Sequence, residues 1–252
     1  MQETTIKRLR VFAGPNGSGK STLFEEFSKR YHTGFFINAD NFERMIETKG
    51  FIDLDDYNIK ASQDDLQLFL KKEEPKSLIE KSEESGHPIN IRIQENLIIV
   101  PSKETHSYEC ALIAMFLRDK LIEKQESFCF ETVMSHHSKI KEIEEARKSG
   151  YKTYLYFICI DDFEVNISRI DNRVKNGGHT VASDKVENRY IRTLENLFPA
   201  IAVCHKSYLF DNSGEVLTLI AEIQEDSSLI LYDDSKNLPK WFNRYVLNQY
   251  VQ

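Results

Sequence analysis

The octapeptide Gly14-Pro15-Asn16-Gly17-Ser18-Gly19-Lys20-Ser21 constrains this chain more than any other stretch. It fits G-x-x-x-x-G-K-[ST], the phosphate-cradling P-loop, which works only between a buried strand and a helix. Both flanks are present. Leu9-Arg10-Val11-Phe12-Ala13 reads as a short buried strand. Thr22-Leu23-Phe24-Glu25-Glu26-Phe27 opens a helix with Leu23, Phe24, Phe27 and Tyr31 on one face. The glycines let backbone N–H groups turn inward around an anion, and the helix start adds its positive dipole end. Gly14, Asn16, Gly17, Ser18, Gly19, Lys20, Ser21 and Thr22 are therefore the expected nucleotide-binding set. Lys20 is expected to reach the outer phosphates of ATP and the Ser21 hydroxyl to hold Mg²⁺. The competing reading, a Gly/Ser turn with a surface lysine, needs every constrained position and both flanks to match by accident.

The strand pattern extends this start into an α/β fold. Gly34–Asn38, Ser127–Glu131, Thr153–Ile160 and Ser207–Asp211 read as further strands, and Thr153–Ile160 is apolar on both faces, as a central parallel strand is. Between the second and third of these runs, Ser138 to Ser149 carries Ile140, Ile143 and Ala146 on one stripe, with Gly150 as its stop. Strands alternating with helices predict a three-layer sandwich with a parallel central sheet. At 252 residues the chain can bury one such core, giving a single domain over 1–252. The polar interval from about Asp53 to His106 reads as an insertion with mixed elements, a helix around Ser62–Lys72 and a hairpin around Ile89–Val100. Glu215–Ile223 and Ser228–Tyr232 predict a C-terminal hairpin, and Leu238–Tyr250 a closing helix, over about 215–252.

Composition narrows the function classes. No apolar run approaches a membrane span, and Met-Gln-Glu-Thr-Thr does not have the shape of a signal peptide. Cys110, Cys129, Cys159 and Cys204 form no Cys-x-x-Cys pair, so buried reduced thiols are expected, in keeping with a cytoplasmic protein. The net charge of −7 argues against a nucleic-acid partner.

Ligands gather at the carboxyl ends of the strands in an open parallel sheet. Asp40, after the second strand, suits a general base that takes the proton from an attacking hydroxyl; it suits equally the cap of a helix starting at Asn41. Glu131-Thr132 ends the third strand, where a carboxylate can bind a sugar hydroxyl or a metal-bound water, or cap the next helix. Asp161-Asp162 follows the fourth strand like a Walker B pair, but reads better as loop acids opening the next helix. Ile167 to His179 reads as a basic helix ending in the hinge Gly177-Gly178. A second helix starting at Asp184 has Val186, Tyr190, Leu194, Leu197 and Phe198 on its apolar stripe, with Arg189, Arg192 and Asn196 roughly opposite. Arginines around a glycine hinge suit a lid that neutralises a transferring phosphoryl group; a solvated basic face is the plainer alternative. Asp211-Asn212-Ser213-Gly214 is either an adenine-contacting corner or a simple turn.

Together these blocks resemble the zeta-toxin family of P-loop kinases, in its zeta-like "predicted ABC-type ATPase" branch. The resemblance rests on Gly14–Thr22, Asn38-Ala39-Asp40, Ser127–Ser135, Gly150-Tyr151, Arg173-Val174 with Gly177-Gly178-His179, Arg189-Tyr190 with Asn196-Leu197, and Asp211-Asn212-Ser213, in order along positions 8 to 214. No Leu-Ser-Gly-Gly-Gln signature accompanies them. The resemblance implies ATP-dependent phosphorylation of a small-molecule hydroxyl, with UDP-N-acetylglucosamine the acceptor in the bacterial toxins of the group and an antitoxin protein that blocks the ATP site. It implies Asp40 as general base, Lys20 and Ser21 as phosphate and Mg²⁺ contacts, and Glu131 and Thr132 as a substrate-binding block. Arg173 matches a lid arginine; Arg189 or His179 is the second lid residue. Asp53–His106, where the family builds much of its acceptor pocket, carries no family pattern, so the kinase reaction is better supported than the sugar nucleotide. Two other classes remain in view: a kinase of RNA or nucleic-acid ends, and a nucleotide-gated binding protein that needs no base at Asp40.

Overall fold

The computed structural model describes residues 6–101, 107–166, 168–169, 183–232 and 238–250. In chain order its elements are β1 (Arg8–Ala13), α1 (Lys20–Ser28), β2 (Phe35–Ile37), α2 (Ala39–Lys49), β3 (Phe51–Asp53), α3 (Gln63–Phe69), α4 (Glu73–Glu84), β4 (Arg92–Gln94), β5 (Leu97–Ile99) and α5 (Ser107–Glu123). Then come β6 (Phe128–Thr132), α6 (Ser138–Lys148), β7 (Lys152–Cys159), α7 (Ser183–Glu195), α8 (Leu197–Val203), β8 (Lys206–Asp211), β9 (Thr218–Gln224) and β10 (Leu229–Leu231). The C-terminal segment Lys240–Tyr250 coils in three short pieces, with a π-helical turn over Asn243–Leu247 in the middle. The chain divides into two compact units, residues 1–33 with 129–252, and residues 34–128.

Six of the seven strands of the central sheet lie in the first unit, in the order β10-β9-β8-β7-β1-β6. β7 runs parallel to both β1 and β8, while β9 and β10 turn antiparallel. The sheet is mostly parallel in its middle, the α/β architecture the alternating pattern predicts. Register places Phe12, Tyr156 and Tyr208 side by side on one face, where they stack at 4.9 and 5.0 Å. Phe24 and Phe27 of α1 pack edge-on against Phe12, at 5.3 and 5.6 Å. Phe12 is fully buried there, which contributes about 2–3 kcal/mol. Phe157, one residue along β7, points to the opposite face and meets Trp241 of the C-terminal segment at 5.8 Å. Period-2 alternation thus gives each face its own helical cover. α6 ends as its sequence demands: Gly150 follows it with φ +88°, and the Tyr151 N–H returns to the Ala146 carbonyl at 3.1 Å.

The second unit contains β2, whose Phe35 N–H donates to the Ser127 carbonyl at 3.2 Å. α2 follows, capped by the Asn38 side chain, which accepts the Asp40 N–H at 2.9 Å, and stopped by left-handed Gly50. A small antiparallel sheet, β3-β5-β4, is closed by a two-residue turn at Glu95 and Asn96, both left-handed. The Asn96 side chain holds this turn to its neighbours, donating to the Ile59 carbonyl at 3.0 Å and accepting the Ala61 N–H at 3.1 Å. α3 carries a capping box between Ser62 and Asp65. α5 is buried along most of its length, through Cys110, Leu112, Ile113, Phe116, Leu117 and Leu121, and Phe69 of α3 meets Phe116 edge-on at 5.3 Å.

Candidate active site

The site grows from the junction of β1 and α1. The chain leaves β1 at Gly14, whose φ is +145°; a Cβ there would stand 2.0 Å from the Ile158 carbonyl oxygen. Only glycine lets β1 and β7 approach this closely. At Gly19, the residue capping α1, φ is +101° and a Cβ would come within 2.7 Å of Asn212 Nδ2. The loop between them closes over the Lys20 ammonium, which donates to the Pro15 carbonyl at 2.8 Å and is 7% exposed.

The end of β6 projects a carboxylate into this loop. Glu131 Oε2 accepts the Ser21 hydroxyl at 3.0 Å, and Glu131 Oε1 lies 4.0 Å from Lys20 Nζ. Glu131 is still within its strand and α6 begins only at Ser138, so it is no helix cap. Lys20, Ser21 and Glu131, expected on the phosphates, on Mg²⁺ and on the substrate respectively, are brought together. Thr132, beside Glu131, turns its hydroxyl to the Met134 N–H at 3.0 Å. α7 is tied to the segment after this strand. Thr193 donates to the Val133 carbonyl at 2.8 Å, and the Asn196 side chain to the Met134 carbonyl at 2.9 Å.

The two acids after β7 have separate jobs. Asp162 accepts the Glu164 N–H at 2.9 Å and opens the helical residues 163–166, as loop acids do. Asp161 accepts the Trp241 backbone N–H at 2.9 Å, and its own N–H donates to Ser213 Oγ at 2.8 Å. Near both, the Tyr190 hydroxyl donates to the Ile160 carbonyl at 2.8 Å; burial pushes this phenol's pKa up. The Asp211–Ser213 corner, weak in the sequence, is a hub. Asn212 Nδ2 donates to the Ser18 carbonyl at 2.8 Å, and Arg169 donates to the Asn212 carbonyl at 3.2 Å. These links escape sequence reading because they join loops far apart in the chain, with no periodicity to mark them.

The other expected residues lie elsewhere. Asp40 belongs to the second unit, exposed in the first turn of α2; the cap of that helix is Asn38, so the capping alternative falls to its neighbour. Arg189 is exposed on α7. Arg173, Gly177, Gly178 and His179 lie outside the described residues.

The loop fits a nucleoside triphosphate. Asn16 Oδ1 and Ser18 Oγ are buried with no hydrogen-bond partner, and Lys20 adds a buried cation to the same loop. Among the described residues no group of three or more His, Cys, Asp and Glu is placed to hold a metal. The Ser21 hydroxyl and the Glu131 carboxylate still fit Mg²⁺, which takes one or two protein oxygens and completes its shell with phosphate and water.

The family model described as Zeta toxin matches residues 101–235, more than half of the chain. The chain belongs to the zeta toxin family. A curated relative of this zeta-toxin chain, an uncharacterized protein of Haemophilus influenzae, is 38% identical over 69 residues, covering 27% of this chain and 49% of the relative. The chain thus matches about half the length of that relative. Among solved structures, the AvrRxo1-ORF1:AvrRxo1-ORF2 crystal structure with sulphate ions is similar, at TM-score 0.54 and 13% identity over 96% of this chain and 64% of that one. The AvrRxo1-ORF1:-ORF2 structure with ATP is similar at TM-score 0.50 and 14% identity, over 91% of this chain and 62% of that one. The chain therefore spans just under two thirds of these relatives, and the likeness is one of fold.

Proposed function

We propose that this zeta-toxin chain is an ATP-dependent kinase that transfers the γ-phosphate to a hydroxyl of a small-molecule acceptor, with UDP-N-acetylglucosamine the first candidate. The observation that carries this reading is the convergence of Lys20, Ser21 and Glu131 at a glycine loop with buried unpartnered acceptors. Lys20 holds positive charge against the outer phosphates. Ser21 would hold Mg²⁺, with the Glu131 carboxylate on a metal-bound water, and the ion would supply charge that offsets the phosphates. Asp40 accepts the proton of the acceptor hydroxyl as its oxygen bonds to the γ-phosphorus and ADP leaves. Thr132 and His179 contact the acceptor, and Arg173 and Arg189 form the lid that meets the charge of the transferring group. An antitoxin protein that covers the nucleotide site is the partner the family resemblance supports.

The test incubates the protein with Mg-ATP and either UDP-N-acetylglucosamine or a metabolite extract, with mass spectrometry for a phosphate-sized gain. Lys20→Ala is expected to abolish transfer and weaken ATP binding. Asp40→Asn is expected to keep ATP binding and lose transfer by about 10²–10⁴-fold, the usual worth of a general base. Near-normal transfer by Asp40→Asn removes Asp40 from the chemistry, and a protein with no affinity for ATP removes the kinase reading altogether.

A further inference from the structure

The Asp211–Ser213 corner touches the phosphate loop itself, through one hydrogen bond with a directional consequence. Asn212 Nδ2 donates to the Ser18 carbonyl at 2.8 Å. That carbonyl belongs to the peptide joining Ser18 to Gly19. A trans peptide is planar, and its C=O and N–H point in opposite directions. Holding the Ser18 oxygen toward Asn212 therefore turns the Gly19 N–H away from Asn212. The fit is mutual: Gly19 sits at φ +101°, and any side chain there would strike the Asn212 amide.

Asn212 is itself held from several sides. Its N–H donates to the Cys159 carbonyl at 2.8 Å, and its carbonyl accepts Arg169 at 3.2 Å. On one side of it, Asp211 Oδ1 accepts the indole N–H of Trp241 at 2.9 Å. On the other, Ser213 Oγ donates to Asp211 Oδ1 at 2.8 Å. These bonds fix the backbone from which the Asn212 amide reaches Ser18.

We propose that Asn212 is a positioning residue for the phosphate chain of the nucleotide: it fixes the Ser18–Gly19 peptide so that the Gly19 N–H is aimed at phosphate before the nucleotide arrives. The inference rests on the reading of Gly14–Ser21 as a nucleotide site. It assigns the corner to phosphate and not to the base. A base contact discriminates between nucleotides; an aimed loop amide does not.

Calorimetry with three probes separates the two roles: Mg-ATP, Mg-GTP and Mg-tripolyphosphate, the last having no base. Asn212→Ala removes the donor. Asn212→Asp keeps the shape but sets a carboxylate against the Ser18 oxygen, and so serves also if the smaller side chain disturbs the fold. Both variants are expected to bind all three probes about three- to tenfold more weakly, the worth of one lost hydrogen bond, with Asn212→Asp at least as impaired as Asn212→Ala. Thermal melts identify a variant whose loss is only unfolding, since at a temperature well below its midpoint such a variant would bind normally. A loss confined to ATP overturns the proposal in favour of a base contact. Affinities within twofold of the unmutated protein for all three overturn it outright. An unmutated protein that binds none of the three overturns the nucleotide-site reading, and this inference with it.

Discussion

Gly14→Ala tests the close approach on which the site is built. The added Cβ would lie 2.0 Å from the Ile158 carbonyl oxygen and 3.0 Å from Ser18 Oγ, at a φ of +145°. The oxygen belongs to the backbone of β7, so it cannot swing aside as a side-chain tip can. A φ in that range costs a non-glycine residue about 1–3 kcal/mol, and forced overpacking adds about 1–3 kcal/mol. Together they predict a loss of about 2–6 kcal/mol. For a chain of this size each kcal/mol moves the melting midpoint by about 2–4 °C, so the midpoint falls by roughly 10 °C. Gly150→Ala in the same unit is the internal control: its φ is +88° and nothing stands within 4 Å of the added Cβ. It carries only the left-handed penalty of about 1–2 kcal/mol. Circular dichroism melts of the two variants side by side read the difference. Equal shifts would show that backbone conformation alone, and not the contact between β1 and β7, demands glycine at position 14.

Two further expectations concern stability and thiol chemistry. Asp65 is held low, at about 2, first by the Ser62 N–H, then by the Ser62 hydroxyl and the Lys120 ammonium. A carboxyl lowered on folding stabilises above its unfolded pKa and loses that stabilisation as pH falls through the folded one, here from about 4 to about 2. Asp65→Asn is expected to cost about 1 kcal/mol at pH 7, the exposed setting keeping the figure small, and only a minor part of that near pH 2; urea titrations giving the same deficit at both pH values would refute the coupling. All four cysteines are buried, and burial pushes the Cys129 and Cys204 thiols up to about 12. The native protein is therefore expected to resist a disulfide thiol reagent at pH 8 and the denatured protein to react at all four; rapid labelling of the native protein would contradict the burial.

Local chemistry was legible where neighbouring residues carry it. The glycine loop, the β-branched and aromatic strands, the Ser62 start of α3 and the Gly150 stop of α6 are all set by residues within a few positions of one another. α4 was not legible: Glu73–Glu84 is mostly charged, its Pro75 sits early in the helix where it is tolerated, and its buried side chains are few. α5 escaped for the opposite reason, being apolar on too many sides to show a stripe. In the site, motif reading found Lys20, Ser21 and Glu131 individually, and the structure supplied the bonds among them. The Asp161 question needed Trp241, and the corner needed the Ser18 carbonyl; both partners come from distant segments, and no local pattern foretells them.

The bond from Asn212 to Ser18 spans 194 positions of chain. During synthesis the Gly-Lys-Ser sequence leaves the ribosome well before β7, which Gly14 must meet, and before Asn212. A nascent chain halted before β8 would contain every letter of the P-loop and lack the amide that orients it. Competence to grip phosphate, on this reasoning, waits until the corner after β8 folds back onto residues made almost two hundred positions earlier.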